Sequence, residues 1–241
     1  MRNEPLPREA PILSLDRICK RFNGLSVLEG VSFEVGRGEI VGLVGPNGSG
    51  KTTTINMISG VLACDGGSIA FEGTPVHKLA PFRRARMGIN RTFQVPKPFG
   101  ELSVRENVLI ASHFGSRNAT DPDAVLEEVG LASLTDKRAD TLTVNQQKLL
   151  DLGRALATAP KLLLIDEIGA GLNPAELTAM AAMLKRLAQR GIALIVVEHL
   201  LEFLNWITNR VIVLSAGHIL FEGPLCAASH DPDVVAAFIG G

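Results

Sequence analysis

The stretch GPNGSGKTT, Gly45 through Thr53, limits what this chain can fold into more than any other part of it. Gly45, Gly50, Lys51 and Thr52 occupy the fixed places of the pattern G-x-x-x-x-G-K-[ST], with Pro46, Asn47, Gly48 and Ser49 between them. Glycines let the backbone curl so that successive N–H groups point inward at an anion, where side chains would collide. The short apolar run Ile40–Val44 precedes the loop, and a segment rich in Thr, Ile and Met follows it. That is strand, loop, helix, with the positive end of the helix turned toward a phosphate. In such a loop Lys51 reaches the β- and γ-phosphates, the Thr52 hydroxyl ligates Mg²⁺, and Thr53 continues the cradle. The ligand class is a nucleoside triphosphate.

The pattern on either side fits an α/β core. Ile12–Ile18, Val31–Val35 and Ser68–Glu72 alternate apolar and polar residues, which predicts an early antiparallel layer. Leu162–Ile165 and Ala193–Val197 are unpunctuated aliphatic runs, as in strands buried on both faces of a parallel sheet, and Val211–Leu214 is a further strand candidate. Pro174–Gln189 carries Leu177, Met180, Leu184 and Leu187 at helical spacing, with a proline in the first turn and Gly191 just past the end. From about Pro96 to Ala155 the pattern is mostly helical, at Val104–His113, Pro122–Val129 and Gln147–Leu156, broken by the turn-rich Gly115–Pro122. The division this implies is a nucleotide-binding core over residues 1–94 and 156–241, with an inserted helical lobe over 95–155.

Composition narrows the function classes. Twenty-four basic residues face 25 acidic ones, for a net charge of −1, so the surplus that phosphate neutralisation requires of a nucleic-acid binder is missing. Arg83, Arg84 and Arg86, beside Gly88, read as a solvated helix end. Cys19, Cys64 and Cys226 are odd in number and widely spaced, which suggests neither zinc nor a disulfide framework; they read as small buried or neutral residues in a reducing compartment. The opening MRNEPLPREAP has no apolar core of a leader peptide, and the longest aliphatic stretch is far shorter than the roughly 20 residues of a spanning helix. The expectation is a soluble cytosolic chain that reaches a membrane through other polypeptides.

A second motif completes the chemistry. Leu162–Ile165 runs directly into Asp166 and Glu167. In a parallel sheet this puts two carboxylates at a strand's C-terminal end, where open α/β folds bind ligands. Asp166 suits a Mg²⁺ shell, and Glu167 suits the general base that orients or deprotonates the attacking water.

With these segments together, the chain resembles the nucleotide-binding subunits of ATP-binding cassette transporters from about residue 12 to its end. The resemblance implies a P-loop NTPase (RecA-like) α/β core with an N-terminal antiparallel β layer and an inserted α-helical subdomain. It implies ATP and Mg²⁺ as ligands, and Phe22 as the aromatic stacked on adenine, worth on the order of a kcal/mol. Gln94, in RTFQ, takes the place of the glutamine that senses the metal and the water. His199, in VVEHLLEF, takes that of the switch histidine at the γ-phosphate, and GLNP (Gly171–Pro174) that of the loop crossing a dimer interface. More narrowly, RARMGINRTFQ, DEIGAGLNPAE, VVEHLLEF and the ending VVAAFIGG resemble the importers of branched-chain amino acids and related solutes. The partners so implied are a second cassette, identical or paralogous, in a head-to-tail dimer, and two integral-membrane permeases. Phe99 and Leu102 are apolar candidates for the groove that would receive the permeases' short helices. An extracytoplasmic solute-binding protein is implied indirectly, nucleic acid is not, and the chain is placed at the inner face of the cell membrane.

The chain also departs from the family pattern. Where the family carries LSGGQ, it has Leu142, Thr143, Val144, Asn145 and Gln146. Thr143 keeps a hydroxyl, but Asn145 replaces a glycine and adds bulk beside a phosphate bound by the opposite subunit. Asparagine tolerates positive φ and caps helices well, so the geometry is expected to survive. Ile168 stands where proline commonly follows the catalytic acid, and Asn173 where many relatives carry aspartate. Two alternatives stay open: a soluble cassette acting on nucleic acid or ribosomes, and a regulatory cassette that binds ATP with little turnover because of Asn145.

Overall fold

The computed structural model describes residues 10–115 and 120–239, so the opening residues 1–9, part of the turn-rich linker and the final Gly240–Gly241 lie outside the described residues. The chain starts with two long strands, β1 (Leu13–Phe22) and β2 (Leu25–Val35), then β3 (Ile40–Val44), the glycine loop and helix α1 (Lys51–Ser59). Strands β4 (Gly66–Phe71) and β5 (Thr74–Pro75), helix α2 (Pro81–Met87) and the short β6 (Ile89–Arg91) follow. Next come the helices α3 (Val104–Phe114), α4 (Pro122–Glu128) and α5 (Val144–Ala157), then β7 (Leu162–Asp166), α6 (Pro174–Gln189) and β8 (Ala193–Val197). The described chain closes with α7 (Leu201–Ile207), β9 (Arg210–Ser215), β10 (His218–Gly223), α8 (Leu225–Ala228) and α9 (Pro232–Ile239).

Two sheets result. One is antiparallel in the order β2-β1-β4-β5; the other has the order β10-β9-β3-β8-β7-β6, parallel except for β10 against β9. Every residue of β3, β7 and β8 is buried, and the two-residue period of a strand divides them between two apolar layers. Val41, Leu43, Leu162, Leu164 and Ile195 pack with α1 and the antiparallel sheet. Leu163, Ile165, Leu194 and Val196 pack with α6, α7 and the residues of α3–α5, so the apolar interior of the helical segment is continuous with one face of the parallel sheet. Each such side chain contributes about 1.5–3 kcal/mol on full burial.

Strand β1 runs to Phe22 rather than stopping at Ile18 because Asn23 (φ 48°) and Gly24 (φ 84°) make a tight hairpin. That turn carries Phe22 to the end of the antiparallel sheet. Helix α5 starts at Val144, three residues before the apolar periodicity becomes visible, because Thr143 caps it. Strand β6 is three residues long, too short to show a period, and β10 alternates only between exposed and half-buried positions.

The arginine cluster needs correction. Arg84 is 1% exposed, and its guanidinium donates to the carbonyls of Met57 (2.6 Å), Ile58 (2.9 Å), His77 (3.0 Å) and Leu79 (3.0 Å). It terminates α1, joining the Gly60 N–H on the Met57 carbonyl and supplying a donor to that of Ile58. Gly60 admits this: a Cβ there would sit 2.7 Å from Arg84 Nε. We expect Arg84→Met to lower unfolding stability by about 3–5 kcal/mol, since several buried carbonyls lose their donor. Urea titration checks this, and a loss below about 1 kcal/mol would contradict the capping role. Among the cysteines, Cys19 and Cys64 are half-buried, but Cys226 is exposed and is not a core residue.

Candidate functional site

The loop between β3 and α1 can be built only from glycine at two places. Gly45 has φ 148°, and a Cβ there would lie 2.0 Å from the Leu214 carbonyl oxygen; Gly50 has φ 106°, and its Cβ would lie 2.4 Å from Leu28 Cδ2. Helix α1 starts immediately after, with no side-chain cap on Gly50, whereas α3, α5 and α6 each carry a complete capping box. The first N–H groups of α1 thus have no intramolecular acceptor and are free for an anion. Ser49 Oγ is buried without a hydrogen-bond partner. Lys51 is 7% exposed, and its Nζ donates to the carbonyls of Gly45 (2.7 Å) and Pro46 (2.9 Å). Burial holds its pKa below the usual lysine value, while the carboxylates of Glu167 and Asp166 work the other way.

Opposite this loop stand the two acids. Asp166 ends β7 and is 3% exposed, with Arg91 Nη2 3.8 Å from its Oδ2. Burial raises its pKa and the Arg91 guanidinium opposes that shift. Glu167 follows in a left-handed conformation (φ 51°), with its N–H donating to Val197 O at 2.9 Å. A non-glycine residue pays conformational strain there, which is what a sharp turn at a strand tip imposes. The turn delivers the Glu167 carboxylate between two side chains. Gln94 Nε2 donates to Oε2 at 2.7 Å, and His199 Nε2 lies 3.1 Å from Oε1. With Glu167 ionised the carboxylate only accepts, so His199 Nε2 carries its ring proton.

Phe22, Asn47, Gly48, Gly50, Lys51, Thr52, Thr53, Gln94, Glu167 and His199 thus line one cleft of about 430 Å³. Phe22 is 41% exposed, and Lys20 Nζ lies over its ring, 5.4 Å from the centroid. The Thr52 hydroxyl and Gln94 amide line this cleft and the Asp166 carboxylate ends strand β7, all oxygen donors of the kind Mg²⁺ prefers. No cluster of three or more acidic, histidine or cysteine residues is found among the described residues, so phosphate oxygens would have to complete such a shell.

The family model for ABC transporters matches residues 28–170, more than half of the chain. The chain belongs to the ABC transporter family. It is 32% identical to the high-affinity branched-chain amino acid transport ATP-binding protein BraF of Pseudomonas aeruginosa, over 95% of this chain and 98% of that protein. With the probable branched-chain amino acid transport ATP-binding protein LivG of Archaeoglobus fulgidus it shares 35% identity over 95% of both. The crystal structure of another ABC transporter's ATP-binding cassette in its ADP conformation superposes with a TM-score of 0.87 at 33% identity, covering 96% of this chain and all of that one. This is the ATP-binding, ATPase subunit of a transporter.

In this ABC cassette the departures from the family pattern have definite places. Thr143, Asn145 and Gln146 lie at the start of α5 and do not line the cleft around Lys51. Thr143 and Gln146 form the capping box: Thr143 N–H donates to Gln146 Oε1 (3.0 Å), and Gln146 N–H to Thr143 Oγ1 (3.3 Å). Asn145 is neither a cap nor left-handed, which corrects the expectation from sequence. It is the second residue of the helix, where glycine has no conformational advantage, and its Nδ2 donates to Glu176 Oε2 (3.2 Å) and to the Gly171 carbonyl (3.4 Å). Asn173 caps α6 by accepting from Glu176 N–H at 3.0 Å, and Ile168 is 3% exposed in the apolar layer around α6. Phe99 is 48% exposed and Leu102 half-buried.

Sequence reasoning missed three side chains that hold this site. Arg91 stands beside Asp166, with its guanidinium also donating to Asn56 of α1. Glu198, 3% exposed, accepts from Gly169 N–H at 2.6 Å. Lys148 of α5 donates to the carbonyls of Glu167 (3.1 Å) and Ala170 (2.6 Å). Arg91 and Glu198 each lie within three residues of a recognised position, in RTFQ and VVEH, and proximity to those motifs was the available signal.

Proposed function

We propose that this cassette hydrolyses ATP to power an importer of branched-chain or related amino acids. The observation that carries the catalytic part is the Glu167 carboxylate held between Gln94 and His199, facing the Lys51 loop across one cleft. The solute class rests on the near full-length similarity to cassettes named for branched-chain amino acid transport. Phe22 stacks on the base, and the Gly45–Thr53 backbone with Lys51 grips the triphosphate. Thr52, Asp166 and Gln94 would hold Mg²⁺, which would offset charge on the phosphate oxygens. Glu167 takes the proton of the attacking water, while Gln94 and His199 fix both its oxygens so that the lone pair is aimed before the water arrives.

The functional unit is a head-to-tail dimer, in which the Thr143-capped start of α5 of one cassette faces the γ-phosphate held by the other. Residues 95–155 act as the lobe that moves, with two permeases docking beside Phe99 at the inner membrane face and a solute-binding protein acting through them. Among the described residues no helix is long and apolar enough to cross a membrane, so the bilayer-spanning path is assigned to the permeases. The test is uptake of labelled leucine by vesicles carrying the reconstituted assembly. ATP-dependent uptake that stops when this chain is omitted supports the reading, and ATP turnover indifferent to any branched-chain amino acid and its binding protein would sink the solute class.

Asn145 bears on the regulatory alternative. Its amide touches Glu176 and Gly171 rather than blocking the helix terminus, so we expect Asn145→Gly to leave ATP turnover of the assembled transporter unchanged or raised within about threefold. A steady-state phosphate-release assay checks this. A loss of tenfold or more would show that the asparagine has its own part in the shared site.

A further inference from the structure

Helix α5 reaches the catalytic pair from two directions. Lys148 holds the main chain of Glu167 through its carbonyl at 3.1 Å. One turn further on, Asp151 holds the main chain on the other side: its Oδ2 accepts from Phe93 N–H at 2.8 Å, and Phe93 is the residue before Gln94. Asp151 is 5% exposed, so this is a buried carboxylate bound to a main-chain amide, a contact that is costly for the carboxylate to leave unmade. Burial raises its pKa, while the Phe93 N–H and the guanidiniums of Arg154 and Arg91 favour the anion. Arg154, on the same face, lies 3.6 Å from Asp151 Oδ1, donates to the Lys97 carbonyl at 3.1 Å and stacks 5.2 Å from the Phe99 ring centroid. Asn107 of α3 fixes the far end, accepting from Phe99 N–H (2.8 Å) and donating to its carbonyl (3.0 Å). The segment from Phe93 to Phe99 is therefore fastened to α5 and α3 at both ends, with Gln94 just inside the first fastening.

We infer that Asp151 is a positioning residue for hydrolysis: it sets the backbone at Phe93 so that Gln94 Nε2 meets Glu167, and it makes Gln94 follow α5 when that helix moves. The inference rests on the assignment of Gln94 and Glu167 proposed above and adds to it the part that ties them to the helix. With Lys148 and Asp151 one turn apart on a rigid helix, displacement of α5 shifts Glu167 and Gln94 together. Loss of the Asp151 contact frees Gln94 alone. The carboxylate is buried and does not line the cleft around Lys51, so its effect passes through the main chain it holds, next to Gln94. The acceptor matters and the charge does not, because an amide oxygen at the same place still takes the Phe93 N–H.

The test is a double-mutant cycle on the full chain, assayed by steady-state ATP turnover alone and with its membrane subunits. Asp151→Ala should lower kcat on the order of 10- to 100-fold, the usual result of misplacing a reacting group by about 1 Å, with KM for ATP held within about twofold. Asp151→Asn should recover most of that loss. In a Gln94→Ala background, Asp151→Ala should cost nothing further, since its route of action is already gone. Thermal unfolding of Asp151→Asn guards against a folding defect, because that variant keeps the acceptor. Multiplicative losses in the double variant would overturn the inference. So would an asparagine variant as slow as the alanine one at parent-like stability, or a loss confined to KM. Glu167→Gln run alongside separates the two layers. Full turnover in that variant would overturn the site assignment, whatever Asp151→Ala does, whereas its inactivity with a multiplicative Asp151 effect would overturn only the tether.

Discussion

Glu167→Gln should stop ATP turnover while ATP still binds. Removing a general base costs about 10²–10⁴-fold in kcat, and glutamine at this position cannot take a proton from water at neutral pH. The substitution is close to isosteric, so the clamp survives: the amide oxygen accepts from one neighbour, and its NH₂ faces the other. His199 can meet that NH₂ by changing tautomer, which Gln94 can match by flipping its own amide. The left-handed backbone at residue 167 is set by the strand tip and Val197, not by the carboxylate, so it is unaffected. With hydrolysis blocked, contacts made only in the ATP-bound closed state are no longer lost, and a closed dimer should accumulate. Phosphate release, together with gel filtration in the presence of Mg·ATP, reads both effects. A parent-like rate would remove Glu167 from the reaction.

The second large effect belongs to Lys51. In this structure its ammonium is folded back onto the Gly45 and Pro46 carbonyls, and its pKa is depressed chiefly by burial. Removing a buried lysine that is already disfavoured by desolvation should cost the apo fold little. Removing the donor for two phosphates should cost about 1.5–3 kcal/mol of binding, the range for charge-assisted hydrogen bonds. We therefore expect Lys51→Ala to unfold within a few degrees of the parent without nucleotide, and to lose most of the thermal upshift that Mg·ATP gives. At a ligand concentration of 100 Kd that upshift corresponds to about 2.7 kcal/mol. An alanine variant with the full upshift would mean that the loop amides alone grip the ligand.

How much of this was legible in the sequence depended on whether the physics was local. The glycine loop was readable because Gly45 and Gly50 are required by backbone geometry that no other residue can satisfy. Strand β8 and helix α6 were readable to the residue, since aliphatic runs and capping chemistry leave marks in consecutive positions. Arg84 was misread because its partners lie as many as 27 residues away, at the end of α1, and a buried arginine has the same one-letter code as a solvated one. Asn145 was misread for a related reason: its second place in the helix follows from Thr143 taking the cap, and its partner Glu176 is 31 residues distant. Asp151 left only a faint trace, one acid among the apolar residues of LLDLGRALA, and nothing in that run says that it answers Phe93.

The central claim is that the Gly45–Thr53 loop grips a triphosphate beside the carboxylate that attacks it through water. Equilibrium titration of Mg·ATP into the Glu167→Gln chain, with the Glu167→Gln/Lys51→Ala double variant in parallel, tests that grip without turnover. The account predicts saturable binding to the first and at least about tenfold weaker binding to the second. No detectable binding by either, or equal affinity in both, would contradict it.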